Sequence, residues 1–262
     1  MFASFAAFNY VIYVFQSGFR DSTRSKIRGW VSKSCVSERS FFQTIENQPR
    51  NRDQRGYVSF GIMLNLPGRV VKRTMDLGLS TLLILGVLSW LLPLLALLVK
   101  LDSPGPVFFV QKRRKKGTGW FFCIKLRTMY VNADADRRIA VQRDPRVTSI
   151  GRWLRCTHLD ELPQLFNVWW GDMSLVGPRP YMLQEDQLYR QVLTGYAGRT
   201  RVKPGITGLA QAAGFFGGTS NVAEMQKRLS LDLAYVEEWS PALDLRIMAS
   251  TIRYLKPTAH DA

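Results

Sequence analysis

From Leu77 to Val99 the chain carries no charged side chain, a run of roughly 23 residues that is long enough to cross a bilayer as a helix. Basic residues flank it on both sides: Arg69, Lys72 and Arg73 before, Lys100 and then Lys112, Arg113, Arg114, Lys115 and Lys116 after. Positive residues favour the cytoplasmic face, so a simple span puts one cluster on the wrong side. Pro93 offers another path. It has no N–H to give, so the carbonyl of Ser89 loses its helical partner and the helix is expected to kink there. A helix that enters, bends and returns keeps both flanks on one face. A kinked single span is the alternative.

The run divides the chain into an N-terminal extension (1–65), a membrane helix (66–101) and a domain over 102–257. Residues 1–19 are uncharged and rich in Phe and Tyr, with Arg20, Arg24, Lys26 and Arg28 following. A signal peptide has its charges in front, so an anchor, a dispensable extension and a misplaced start all stay open. Residues 20–65, rich in Ser, Arg, Gln and Asn, read as a partly disordered linker.

Beyond the apolar run, Ser103-Pro104-Gly105-Pro106 stops any helix. Two apolar stretches, Val107–Val110 and Trp120–Leu126, surround Lys116-Gly117-Thr118-Gly119 and predict a β-hairpin. Alternation in the second strand puts Lys125 and Arg127 on one face. Leu162, Leu165, Phe166 and Trp169 recur at helical spacing before Gly171, and Ser240-Pro241 is a good helix start. Leu245, Met248 and Ile252 then form a stripe for protein or lipid. The expected fold is α+β and mainly helical: a membrane-associated domain with a kinked re-entrant helix and a short β-hairpin.

A net charge of +16 needs an anionic partner: nucleic acid, a membrane surface or a phosphorylated substrate. No recognition helix or aromatic RNA-binding strand motif is present, which argues against nucleic acid. The three cysteines are odd in number and lack Cys-x-x-Cys spacing, which argues against a disulfide framework or structural zinc. With only His158 and His260, mechanisms that use several imidazoles are set aside.

Neither a Walker loop nor a G-x-G-x-x-G turn occurs. Asp134-Ala135-Asp136 has the form of a metal motif but lies in a polar stretch with Arg137 and Arg138, and reads as a solvated helix face. The densest patch is Arg155 to Pro163, where Asp160 and Glu161 precede a helix. Adjacent carboxylates repel and need a cation or an arginine when buried. A helix start favours negative charge, so the patch is either a metal and diphosphate site or a surface helix terminus. Two stiff loops carry basic residues: Gly177-Pro178-Arg179-Pro180, and Lys203-Pro204-Gly205-Ile206-Thr207-Gly208. Such loops let the backbone approach an anion and hold the cation still.

The segments KRTMDLG, SPGPVFFVQ, FFCIKLRTMYVNAD, DPRVTSIGRWLRCTHLDELPQLFNVWWGDMSLVGPRPYM and VKPGITGLAQ resemble the bacterial sugar transferase family, in order from about Pro67 to Leu255. These are monotopic phosphoglycosyl transferases, and the undecaprenyl-phosphate glucose phosphotransferase branch is the most similar. The long members of that branch carry a multi-span N-terminal half, for which this chain has no room. The resemblance implies a catalytic domain over 102–257 that moves a hexose 1-phosphate from a UDP-sugar to undecaprenyl phosphate. It implies that Asp160 is the nucleophile and magnesium ligand, with Glu161 beside it. Its phosphate-binding residues fall on Lys125, Arg155 and Arg179. Arg127, Lys203 and Gln211 join the candidate phosphate and substrate set through the strand face and the two loops. The implied setting is the cytoplasmic face of the bacterial inner membrane, with Mg²⁺, membrane lipid and no nucleic acid. A homo-oligomer is compatible with this.

Two departures stand out. The family breaks its re-entrant helix at Ser-Pro, whereas Ser89 is followed by Trp90 and the proline comes at 93. The family continues Ala-Gln with Val-Asn-Gly and polar residues, whereas this chain reads Ala210-Gln211-Ala212-Ala213-Gly214-Phe215-Phe216-Gly217-Gly218. An apolar loop there opens the alternative of a catalytically impaired membrane scaffold of the polysaccharide assembly machinery.

Overall fold

The apolar run forms one helical rod. In the computed structural model, which describes residues 66–131, 144–215 and 222–254, helix α1 (Leu66–Leu83) passes into a π-helical turn at Ile84–Leu88 and then into α2 (Ser89–Asp102). Pro93 lies inside α2. The ladder yields one turn before the proline. Ser89 N–H donates to the Ile84 carbonyl, a reach of five residues. Two carbonyls of the wide turn also receive side-chain donors, with Ser89 Oγ 2.7 Å from Leu85 O and Trp90 Nε1 3.0 Å from Gly86 O. The ladder thus departs from α geometry at the π turn, ahead of Pro93, while α2 continues through the proline.

The rod presents two different sides. Leu88, Leu91, Leu95 and Val99 recur at helical spacing and are buried. Leu82, Leu85, Trp90, Leu94, Leu97 and Leu101 are exposed, so the side away from the protein is also apolar. By length and composition the rod could cross a membrane.

Each half of the rod is tied to the domain by polar contacts. Lys72 Nζ lies 2.6 Å from Asp244 Oδ2, and both residues are buried. Asp76 Oδ1 accepts from Ser174 Oγ at 2.9 Å and from Leu175 N–H at 3.0 Å. At the far end, Asp102 Oδ2 accepts from Ile150 N–H at 3.2 Å, at the start of helix α3 (Ser149–Cys156). Thr148 caps the same helix through Gly151 N–H at 2.9 Å.

Strands β1 (Phe108–Arg114) and β2 (Trp120–Leu126) form the expected antiparallel hairpin, with Phe109 opposite Lys125 and Arg113 opposite Phe121. The first strand runs further than expected, into Lys112-Arg113-Arg114. Helix α4 (Gln164–Trp170) follows the acidic pair and stops at Gly171, whose φ is 94°. Asn167, buried in α4, joins this helix to β2: its amide donates to Phe122 O at 2.8 Å and its oxygen accepts from Ile124 N–H at 3.1 Å. Asn167→Ala leaves both backbone groups unpaired. It should lower the unfolding free energy by roughly 2–4 kcal/mol, measured by denaturant titration in detergent.

A second sheet, β3 (Ser174–Val176) with β4 (Gly205–Thr207), is parallel and only three residues per strand. Glycine is required here: a Cβ on Gly205 would stand 2.1 Å from Gly177 N. Helices α5 (Leu183–Val192), α6 (Leu209–Ala212), α7 (Val222–Glu238) and α8 (Pro241–Tyr254) complete the described fold, which lies within the unit Asn51–Ala262. Leu91, Leu95, Val99, Leu126 and Leu154 form one core; Tyr181, Tyr189, Leu193, Tyr196, Met225 and Leu229 form another. On α8 the buried stripe is Leu243, Asp244, Ile247 and Ser250, and Leu245 is exposed. The readings of residues 1–65, of Asp134 and Asp136, and of Phe216 to Gly218 lie outside the described residues.

Candidate active site

Helix α3 delivers the site. Gly151 lets it pass against the strand extension, because a Cβ there would lie 2.1 Å from Thr128 O. One turn on, Arg155 Nε donates to Thr128 Oγ1 at 2.8 Å. The helix ends at Thr157, and His158 takes a left-handed conformation (φ 55°), the only positive φ outside glycine among the described residues. Histidine is one of the side chains that tolerates this region. The sharp turn starts a short 3₁₀ segment, Leu159–Glu161, which carries both carboxylates into the interior.

The two acids have different surroundings. Glu161 is held in a fork. Lys125 Nζ stands 2.5 Å and Arg179 Nη2 2.8 Å from its Oε1, and Arg179 Nη1 stands 3.3 Å from Oε2. Burial alone would raise its pKa, but Arg179 and Lys125 hold the carboxyl well below the usual carboxylate range. Glu161 in turn raises Arg179 above the ordinary guanidinium value. Asp160 is buried too, yet among the described residues its side chain accepts no hydrogen bond. Burial raises its pKa; Lys125, Arg155 and His158 oppose the rise while Glu161 adds to it. Glu161 is therefore a fixed anion. Asp160, with no hydrogen-bond donor on it among the described residues, is the acid of the pair that could still take up a cation.

Further residues complete the shell. Arg113, on β1, donates to Pro180 O at 3.2 Å and feels the charges of Arg179 and Glu161. Arg199 donates to Arg179 O at 2.7 Å and is itself held by Asp232 at 2.9 Å and by the Tyr196 hydroxyl at 3.0 Å. It thereby fixes the turn that presents Arg179. Neither was expected from the sequence. Arg113 sat in a basic run read as a membrane flank, and the setting of Arg199 depends on partners distant in sequence.

The remaining candidates go elsewhere. Arg127 is engaged elsewhere than at the acidic pair, although its backbone still bonds to Val107 O at 2.8 Å beside the end of β2. Its guanidinium donates to Pro104 O, to Ser103 O at 2.7 Å and to Val99 O at 3.4 Å, closing the C-terminus of α2. Arg127→Ala should lower stability by roughly 2–3 kcal/mol while leaving the KM for a nucleotide sugar unchanged, read by unfolding and initial-rate assays. Lys203 has Arg73, Asp76, Lys115 and Lys116 as its charge neighbours. Gln211 is buried and donates to Ile206 O at 2.9 Å, and Ala212 is fully buried in α6. Ala210 is buried as well, while Ala213 and Phe215 are half-buried.

No group of three metal-ligating side chains exists among the described residues. Mg²⁺ commonly takes one or two protein carboxylates together with substrate phosphates. The unbonded Asp160 carboxylate fits that pattern, and the forked Glu161 does not.

A family model described as Bacterial sugar transferase matches residues 67–256. The UDP-glucose:undecaprenyl-phosphate glucose-1-phosphate transferase of Escherichia coli is 46% identical over 186 residues, covering 70% of this chain and 40% of the relative. The Caulobacter vibrioides protein of the same name is 45% identical over 188 residues, 71% of this chain and 70% of the relative. The exopolysaccharide production protein PSS of Rhizobium leguminosarum is 43% identical over 188 residues, 70% of this chain and 94% of the relative. The chain thus spans well under half the length of the Escherichia coli relative and nearly all of the Rhizobium one.

Proposed function

The chain belongs to the bacterial sugar transferase family, and from that premise we propose that it transfers glucose 1-phosphate from UDP-glucose to undecaprenyl phosphate, the first step in assembling an exopolysaccharide. The observation that carries this reading is the contrast within one acidic pair: Glu161 locked between Lys125 and Arg179, Asp160 buried and without a hydrogen bond among the described residues.

A free Asp160 oxygen attacks the sugar-proximal phosphorus of the donor. The bond from that phosphorus to the bridging oxygen breaks, and UMP leaves with the electron pair. The sugar phosphate is then held on Asp160 as an acyl phosphate. An oxygen of undecaprenyl phosphate attacks the same phosphorus and returns the carboxylate, so no proton is consumed in either step. One phosphoanhydride replaces another, which suits a site without a strong general acid. The main barrier is repulsion among anions, and Lys125, Arg155 and Arg179 lower it from fixed positions. Mg²⁺ held by Asp160 and the diphosphate would supply further charge neutralisation. Glu161 orients the two cations that it bridges.

The apolar rod sets the depth of the site. Its outer side, from Leu82 to Leu101, is suited to lipid. A rod that dips and returns at the π turn keeps both basic flanks, and the domain, on the cytoplasmic face of the inner membrane, where the acceptor phosphate lies. The test is UMP release by detergent-purified full chain with Mg²⁺ and undecaprenyl phosphate across a panel of UDP-sugars. Release with UDP-glucose well above the other sugars supports the donor assignment. Release with none of them rejects the transferase.

A further inference from the structure

A second cluster of cations lies at the start of the rod. Gly171 ends α4 in a left-handed turn, and a point one bond from its Cα lies 3.4 Å from Lys203 Nζ and 3.5 Å from the Arg73 guanidinium carbon. Two cationic heads thus converge on one glycine. Lys115 and Lys116, from the hairpin turn, add their charges to Lys203, and Arg69 adds its charge to Lys116. The hairpin turn is fixed in this position, with Gly117 N–H donating to Thr200 O at 2.8 Å.

Two carboxylates face these five cations. Asp172 pairs with Lys115 at 2.5 Å, and Asp76 is already engaged with Ser174 and Leu175. Arg73 spends two donors on Val168 O and Trp169 O, both at 2.6 Å, and a guanidinium has five. Among the described residues Lys116, Lys203 and Arg69 make no hydrogen bond or ion pair. Burial and neighbouring cations lower the pKa of both Lys116 and Lys203. Cations that outnumber the carboxylates beside them are stabilised when a further anion joins them.

Depth selects the anion. Arg73 stands one helical turn before Leu77, where the uncharged run begins. Trp169 and Trp170, at the end of the helix that Arg73 caps, are 48% and 60% exposed. Exposed tryptophans beside basic residues at the boundary of an apolar helix suit the bilayer interface. We infer that Arg73, Lys116 and Lys203, with Arg69 at the rim, bind the phosphodiester of an anionic phospholipid, at residues distinct from those around Asp160. This rests on the reading that Leu77–Val99 lies in lipid. The lipid docks the first half of the rod at a fixed depth.

The test needs no turnover. Full-length protein in a zwitterionic detergent is titrated with dihexanoyl-phosphatidylglycerol or dihexanoyl-phosphatidylcholine, and bound lipid is counted by native mass spectrometry. Phosphatidylglycerol should be retained at about one per chain in preference to phosphatidylcholine. Its affinity should fall roughly 30-fold in Lys116→Gln/Lys203→Gln, the scale of losing two headgroup-facing charges. The charge-matched Arg152→Gln/Lys227→Gln should retain it. Equal retention of the two lipids, or an unchanged affinity in the first variant, overturns the inference. So does displacement of phosphatidylglycerol by inorganic phosphate or UDP-glucose, which would give the cluster to the donor. A failed transferase assay with intact lipid retention would reject the proposed reaction and leave this site standing.

Discussion

Asp160→Asn should cut UMP release by roughly 10⁴–10⁶-fold, the scale on which covalent nucleophiles fall silent. The amide keeps the shape of the side chain but has no lone pair fit to form the acyl phosphate. Since Asp160 accepts no hydrogen bond among the described residues, its replacement breaks none there. Burial raises the pKa of this carboxyl, so removing its charge should leave stability unchanged or slightly higher. Lost activity with an unchanged unfolding midpoint, measured on one preparation, is the expected pair of results. An active Asp160→Asn removes the nucleophile from the scheme.

Arg179→Ala should cost in two ways. The cation facing the transferred phosphate is lost, worth roughly 10²–10³-fold in kcat. Glu161 stays buried with Lys125 as its remaining ion-pair partner, which should lower stability by about 3 kcal/mol. The double variant Arg179→Ala/Glu161→Gln separates these effects. Neutralising the glutamate should recover much of the stability and none of the turnover. Recovery of turnover would mean that Arg179 acts only by holding Glu161.

The gathering of basic side chains round the acidic pair was more legible in the sequence than the packing about it. The acidic pair before a proline, strand parity at Lys125 and the Gly-Pro-Arg-Pro turn are local patterns, and the structure brings Lys125, Arg155 and Arg179 to Asp160 and Glu161. Parity grouped Arg127 with Lys125, but its guanidinium is spent on the carbonyls of Pro104, Ser103 and Val99, partners that strand parity does not reveal. Pro93 announced a disturbed helix but not where the ladder would yield, and the π turn lies ahead of it. The β3–β4 pair has no usable period at three residues per strand. Arg199 looks like any basic residue until Asp232, Tyr196 and the Arg179 carbonyl are seen around it. In the 210–213 stretch, Ala212 is fully buried, so the apolar sequence there answers first to packing.

In the proposed reaction Asp160 carries the sugar phosphate between donor and acceptor. Intact-protein mass spectrometry of the full chain, mixed with UDP-glucose and Mg²⁺ without any polyprenyl phosphate, tests it directly. Expected are a hexose phosphate adduct on the peptide containing Asp160, one UMP released per adduct, and loss of the adduct when undecaprenyl phosphate is added. UMP that forms only once the lipid is present, with no adduct at any time, would contradict the covalent route. No UMP under either condition would leave a membrane scaffold as the reading to pursue.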